Sequence, residues 1–226
     1  MIRAFDILIS AAVLLLTLPL IVIVAIAIKI SSPGPILYPA DRAGLGGGNF
    51  RMFKFRSMHV NSGGSDITGT NDPRIFAVGN IIRMLKLDEL PQFVNVIKGE
   101  MAIVGPRPEA PGIVADHYAP WMHDTLKVRP GITSPGAIFY YAFGDELLAA
   151  DDPEKAYLDN LLAPKLALDL AYSQRENVLS NIIIIAHTAI AIVCKAAGKP
   201  IGPQGRDITA AAKWVDASKF QIAKAD

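Results

Sequence analysis

The chain has 226 residues, a formal net charge of +1 and a single cysteine, Cys194. That length accommodates one domain with an appendage, or two small ones. The near-neutral balance gives no reason to expect nucleic acid as a partner, and one cysteine excludes an internal disulfide framework.

The first element is apolar. Ile7 to Ile28 reads ILISAAVLLLTLPLIVIVAIAI without a charge, long enough to cross a hydrocarbon core of about 30 Å as a helix. A cleaved signal peptide is disfavoured, because Asp6 sits in the n-region and the apolar run exceeds the usual h-region. Pro19 falls near the midpoint and predicts a kink. Each half, roughly 16 Å long as a helix, is too short to span alone. Arg3 and Lys29 flank the run on both sides, so charge does not choose an orientation. A re-entrant hairpin and a kinked spanning helix are both compatible with these residues.

The break Ser31-Ser32-Pro33-Gly34-Pro35 ends the helix. Gly44 to Gly48 lacks a phosphate-loop pattern and reads as a hairpin turn. The alternation from Phe50 to Arg56 suggests a strand, with its basic residues on one side and its aromatic and sulfur side chains on the other. Asn61 to Arg74 reads as a polar, mobile loop. From Ile75, the spacing of Val78, Ile81, Ile82 and Leu85 predicts a helix that buries this stripe and leaves Arg83 and Lys86 off it.

Pro91 predicts a second helix start, with Gly99 as its stop. Asp88 and Glu89 then lie at a helix junction, beside the positive end of the second helix. Glu109 to Leu148 shows little regular pattern. Helices are predicted around Asp152 to Gln174 and Val178 to Ala197, the second a core or interfacial helix. Cys194 reads as a small buried hydrophobe. Trp121 and Tyr118 suit either a membrane interface or a core.

Adjacent carboxylates on one helix diverge by about 100° and cooperate only where the backbone turns. One acid could then be a nucleophile or metal ligand and the other a proton acceptor or second ligand. The plainer alternative is a cap with a first-turn acid. Arg107 stands between Pro106 and Pro108, and Arg129 precedes Pro130-Gly131-Ile132-Thr133, so stiff loops present both guanidinium groups. With Lys54, Arg56 and Arg83 they could line a site for a polyanionic substrate bound with a divalent metal, most naturally magnesium. The four histidines form no zinc spacing, and no GxSxG elbow occurs.

The ordered motifs SPGP, KFRSM, NDPR, LDELPQF-NV-KGEM--VGPRPE and RPGIT closely resemble the bacterial sugar transferase family, the monotopic phosphoglycosyl transferases. The resemblance runs from the apolar segment to about Asp169. It implies an α/β fold, mostly helical with a small β element. A re-entrant membrane hairpin over 1–30 would precede a compact cytoplasmic catalytic domain with interfacial helices over 31–226, in the minimal catalytic-domain form. It implies transfer of a phosphosugar from a UDP-sugar to polyprenyl (undecaprenyl) phosphate, releasing UMP, at the cytoplasmic face of the bacterial inner membrane, with Mg2+ as cofactor.

In that resemblance Asp88 is the nucleophile and a metal ligand, forming an aspartyl phosphosugar, and Glu89 assists proton transfer or metal placement. Arg107 and Arg129 match phosphate-binding positions and Lys54 and Arg83 match basic positions near the site, while Arg56 stays a phosphate-binding candidate by its charge alone. Pro19 matches the family's helix break, while Leu18 replaces its serine and Thr17 could offer a hydroxyl to the freed carbonyls. The run SPGAIFYYAFGDE after Thr133 departs from the family and bears on sugar and acceptor preference. A non-catalytic membrane module that binds lipid-linked phosphates, and a direct glycosyl transferase that releases UDP, are the rival readings.

Overall fold

The computed structural model describes residues 2–60, 72–149 and 151–220. The predicted polar loop therefore lies largely outside the described residues.

Helices α1 (Ile2–Leu16) and α2 (Leu18–Ser31) form the apolar segment, bent by 61° at Thr17. Pro19 falls in the first turn of α2, where its missing N–H costs nothing. Thr17 Oγ1 donates to Val13 O at 2.6 Å, a carbonyl that already accepts Thr17 N at 2.9 Å. The hydroxyl therefore does not rescue a carbonyl freed by proline, as the sequence suggested; it doubles an existing bond, which favours bending.

Polarity is inverted along α1. Asp6 and Ser10 are buried, while Leu8, Leu15 and Leu16 are 70–80% exposed. Arg3 Nη1 and Nη2 donate to Met101 O and Val96 O at 3.2 and 2.5 Å, and Asp6 Oδ1 accepts from Ile103 N at 3.5 Å. On α2, Val24 and Ile28 pack with Phe55, Phe76 and Ile82.

The hairpin appears as predicted. β1 (Leu37–Ala43) pairs antiparallel with β2 (Asn49–Phe55), in a register running from Leu37 opposite Phe55 to Ala43 opposite Asn49. Gly46 and Gly47 take positive φ in the turn between them. The predicted split of basic and apolar faces does not hold. A period of two puts Met52, Lys54 and Arg56 on one face and Arg51, Phe53 and Phe55 on the other.

Helix α3 (Ala77–Met84) buries Gly79 and Ile82, with Phe76 just ahead of it. Ile81 and Leu85 are exposed, so only part of the predicted stripe is core. Gly79 is required: a Cβ there would lie 2.2 Å from Ser57 O. Helix α4 (Gln92–Lys98) starts after Pro91 and stops at Gly99, whose φ is 92°. It buries Gln92, Asn95 and Val96 and exposes Val94 and Ile97. Asn95 binds the open edge of β2, donating to Arg51 O at 2.7 Å and accepting from Phe53 N at 2.9 Å.

β3 (Ala102–Val104) pairs parallel with β4 (Gly131–Thr133). Between them lie α5 (Pro111–His117) and a 3-10 segment, Pro120–Lys127. The stretch that looked irregular also contains α6 (Pro135–Leu147), started by Ser134, whose Oγ accepts from Ala137 N at 2.9 Å.

A continuous helical run follows: α7 (Pro153–Ala156), a π turn (Tyr157–Leu162) and α8 (Ala163–Ser173). Pro164, which cannot donate to the preceding turn, sits just past the widened stretch. α8 is buried along nearly its whole length and centres the largest core cluster, against which Trp121 and Tyr118 also pack. Helix α9 (Val178–Ala196), the short α10 (Gly205–Ala211) and a 3-10 turn, Ala217–Phe220, follow. On α9, Leu179, Ile182, Ile190 and Val193 are exposed, and Cys194 is only half-buried, contrary to expectation.

Candidate active site

Asp88 and Glu89 occupy a 3-10 turn, Leu87–Glu89, between α3 and α4. Lys86 starts it at φ 56°, the one non-glycine with positive φ among the described residues. That conformation reverses the chain and buries both acids. Glu89 N donates to Lys86 O at 3.3 Å, and Leu90 N to Leu87 O at 3.2 Å, closing the turn before Pro91.

The two acids have opposite environments. Glu89 Oε1 accepts from Arg107 Nη2 at 2.6 Å and from Lys86 Nζ at 3.3 Å, and Oε2 faces Arg107 Nη1 at 3.4 Å. Burial raises its pKa, but Arg107, Lys86 and Lys54 outweigh burial and hold Glu89 ionised, well below the usual carboxylate range. Asp88 is raised instead, first by burial and then by the Glu89 charge, against the opposing pull of Lys54, Lys86 and Arg83. Its buried Oδ1 has no hydrogen-bond partner among the described residues. Glu89 is thus engaged, while Asp88 keeps an oxygen open for chemistry.

Arg107 is delivered by a paired-strand scaffold. Gly105 N donates to Thr133 O at 3.0 Å and Gly131 N to Pro106 O at 2.9 Å. The two backbones touch so closely that a Cβ on Gly131 would fall 2.2 Å from Gly105 N. Asp169 of α8 completes the support: Oδ2 accepts from Arg107 N at 3.2 Å and Oδ1 from Gly136 N at 2.8 Å, with the Ser134 hydroxyl also bonded to it. Burial lifts the Asp169 carboxyl to about 6 despite these donors. A second buried group, Glu109, Lys165 and Tyr157, ties the end of the Arg107 loop to the π turn and α8, with Tyr157 Oη donating to Glu109 Oε1 at 2.6 Å and Lys165 paired to the same carboxylate.

The candidate cations separate. Lys54, half-buried on β2, acts on both acids, and burial together with the Arg107 charge lowers its pKa to about 8. Arg83 acts on Asp88 through its charge. Arg107 is present, but its fork is spent on Glu89 rather than left open for phosphate. Two candidates fall outside this cluster. Arg56 is buried and donates to Pro35 O, Ser32 Oγ and Ser32 O at 2.6, 2.7 and 2.6 Å, so it fastens the end of α2. Arg129 is exposed, donates to Gly99 O at 3.1 Å, and does not figure among the charges acting on either acid of the turn.

Sequence reasoning passed over Asp169, Lys165 and Tyr157, which lie in helices with no motif of their own. It also passed over Gln92. That residue follows Asp88 by four positions, is fully buried, and leaves both amide atoms unbonded among the described residues.

No group of three or more His, Cys, Asp or Glu side chains suited to a metal occurs among the described residues. The open Oδ1 of Asp88 does suit an ion of the magnesium type, which takes one or two carboxylates and fills its remaining positions with water and substrate phosphate.

Residues 1–195 match the family model described as bacterial sugar transferase. An undecaprenyl-phosphate glucose phosphotransferase of Komagataeibacter xylinus is 38% identical over 193 residues, covering 81% of this chain and 34% of that protein. The UDP-glucose:undecaprenyl-phosphate glucose-1-phosphate transferase of Escherichia coli K12 is 44% identical over 138 residues, 58% of this chain and 29% of that protein. An exopolysaccharide production protein of Rhizobium leguminosarum bv. phaseoli is 34% identical over 206 residues, 87% of this chain and 96% of its own. The chain therefore spans about a third of the length of the first two relatives and nearly all of the third.

Proposed function

Since the chain belongs to the bacterial sugar transferase family, we propose that it moves a sugar phosphate from a UDP-sugar to polyprenyl phosphate and releases UMP. The observation that carries this reading is the asymmetry of the acidic pair. Asp88 is buried with an unpartnered oxygen, while Glu89 is locked to Arg107.

An Asp88 oxygen attacks the sugar-bearing phosphorus of the donor. The bond from that phosphorus to the bridging oxygen breaks, UMP leaves with the electron pair, and a phosphosugar remains esterified to Asp88. A phosphate oxygen of the lipid then attacks the same phosphorus and restores the carboxylate. Anion attacks anion in both steps, so fixed positive charge must offset the repulsion. Lys54, Arg83 and Lys86 provide it around Asp88. Glu89 orients Arg107 and Lys86 rather than reacting. Magnesium, when bound at Asp88, would add neutralisation of the phosphate charge.

The lipid acceptor places the protein on a membrane, and we assign it to the cytoplasmic face of the inner membrane. The α1–α2 pair enters the bilayer and returns. The support is that both ends hold the same body: Arg3 and Asp6 bind α4 and β3, and Ser32 binds Arg56 next to β2.

The nucleotide released from a UDP-sugar tests the reaction. UMP is expected, and with donor alone the yield should approach one per protein. Asp88→Asn should abolish UMP release while the thermal unfolding temperature stays within a few degrees of wild type. UDP as the product, or full activity in Asp88→Asn, overturns the mechanism.

A further inference from the structure

Beside the acidic turn lies a cavity of about 280 Å³ between α4, α6 and α9. Lys86, Glu89 and Arg107 stand among its lining residues. The remaining walls are hydrocarbon, chiefly Leu90, Phe93, Ile132, Ile138, Ile185 and Ile192. Three of the four wall hydroxyls are bonded within the protein, and the fourth belongs to Tyr140. Thr133 and Thr188 are bonded to each other at 2.7 Å, and Tyr141 Oη donates to Met84 O at 2.7 Å. A sugar or a base would lose its water here and find few free polar groups, at a cost of a few kcal/mol per unpaired group.

We propose that this cavity receives the phosphate-proximal isoprene units of the lipid acceptor, an inference that rests on the reaction proposed above. Charge and shape agree with that occupant. Lys86 and Arg107 share the single Glu89 carboxylate, so this end of the cavity keeps one net positive charge to face an anionic head beside the phosphorylated Asp88, and branched aliphatic walls match a branched hydrocarbon. The volume lies at the small end of the range for ligand sites, so it holds the beginning of a long chain rather than the whole.

The position explains how the rest of the chain stays in lipid. Two walls, α4 and α9, carry exposed apolar residues, Val94 and Ile97 on one and Ile190 and Val193 on the other. On this assignment α9 is neither a simple core helix nor a second span. One side forms the acceptor wall and the other meets hydrocarbon, which accounts for a 19-residue helix apolar enough to cross a membrane yet joined to the catalytic turn.

Wild-type protein of full length in detergent, given prenyl, geranyl, farnesyl and geranylgeranyl phosphate in turn, tests the assignment without any variant. Acceptor kcat/KM should rise about tenfold or more from prenyl to geranyl, since five carbons leave water for a fitted wall, and then level off once added units extend past it. An equal gain for every unit, which is simple partitioning into the micelle, or no gain at all, overturns it. A cavity occupied by a bilayer acyl chain instead would also give no such step.

Narrowing the cavity supplies a second arm. Ala189→Trp, or Ala137→Leu should the first variant fold poorly, should raise the ratio of acceptor KM to donor KM about tenfold. Val193→Trp, on the exposed side of the same helix, should leave that ratio as it is. An unchanged ratio in both cavity variants overturns the assignment. The donor-only UMP burst keeps the two ideas apart: its absence in wild type defeats the reaction itself, whereas a burst with a flat acceptor series defeats the cavity alone.

Discussion

At the scale of single residues, the main surprise is where Arg107 spends its guanidinium. Prolines on both sides suggested a stiff arm reaching for phosphate; instead the fork closes on Glu89, with both side chains largely buried. Breaking a buried pair strands a charge, so Glu89→Gln or Arg107→Gln alone should cost about 3–5 kcal/mol of stability. The double variant should recover much of that loss without recovering activity, a contrast that denaturant unfolding and UMP release together would reveal. If the double loss equals the sum of the single losses, the pair is not coupled.

Asp169 adds a pH dependence. Its carboxyl titrates near 6 in the fold, against an ordinary value of 3.8. The folded chain therefore binds this proton more tightly than the unfolded chain does. The stabilising contribution is fully present below about pH 4 and is lost as pH rises through 6, a swing of about 3 kcal/mol. Subtracting the stability of Asp169→Asn from that of wild type should give a difference that falls by about that amount between pH 4 and 7. A flat difference would show that Asp169 is not strained by burial.

Among elements, legibility followed locality. The hairpin, the α4 start at Pro91 and the stop at Gly99 were readable because each is written in a few adjacent residues with their own backbone preference. Helix α6 was not, because glycine, proline and aromatics masked its period and much of what specifies it is tertiary: Asp169, from 33 residues downstream, holds Gly136 N. The parallel pair β3–β4 was also invisible. It has three residues per strand and depends on two glycines whose backbones touch.

That contact is the hinge between sequence motif and site, because it aims the Arg107 loop. Gly131→Ala should cost about 1–3 kcal/mol or more and reduce activity in step, since neither backbone can yield without breaking the Gly105 and Gly131 bonds. Gly112→Ala is the matched control: an added Cβ there meets nothing within 4 Å. Equal thermal shifts for the two substitutions would mean that the close approach is not a constraint.

For the whole molecule, the question is which solvent faces each surface. A chain folded for water alone would not bury Asp6 and Ser10 while leaving Leu16 and Ile30 about 80% exposed. The arrangement makes sense if hydrocarbon surrounds the α1–α2 pair, so that its few polar groups turn inward, with Arg3 and Asp6 bound to α4 and β3. A spanning helix would carry its two ends to opposite faces, yet both ends are fastened to the catalytic body. Arg3 caps the carbonyl end of α4, and Arg56 fastens Ser32 through two bonds. Separating them would leave the buried Arg56 without its bonds to Ser32, a cost that opposes spanning. In a Cys194→Ala background, single cysteines at Ala4 and Ile30 should therefore react with a membrane-impermeant maleimide from the same side of sealed vesicles, while one at Leu18, beside the bend, should be protected. Labelling of Ala4→Cys and Ile30→Cys from opposite sides would show that the pair spans, and the tie from Arg56 to Ser32 would then have to be absent in the membrane.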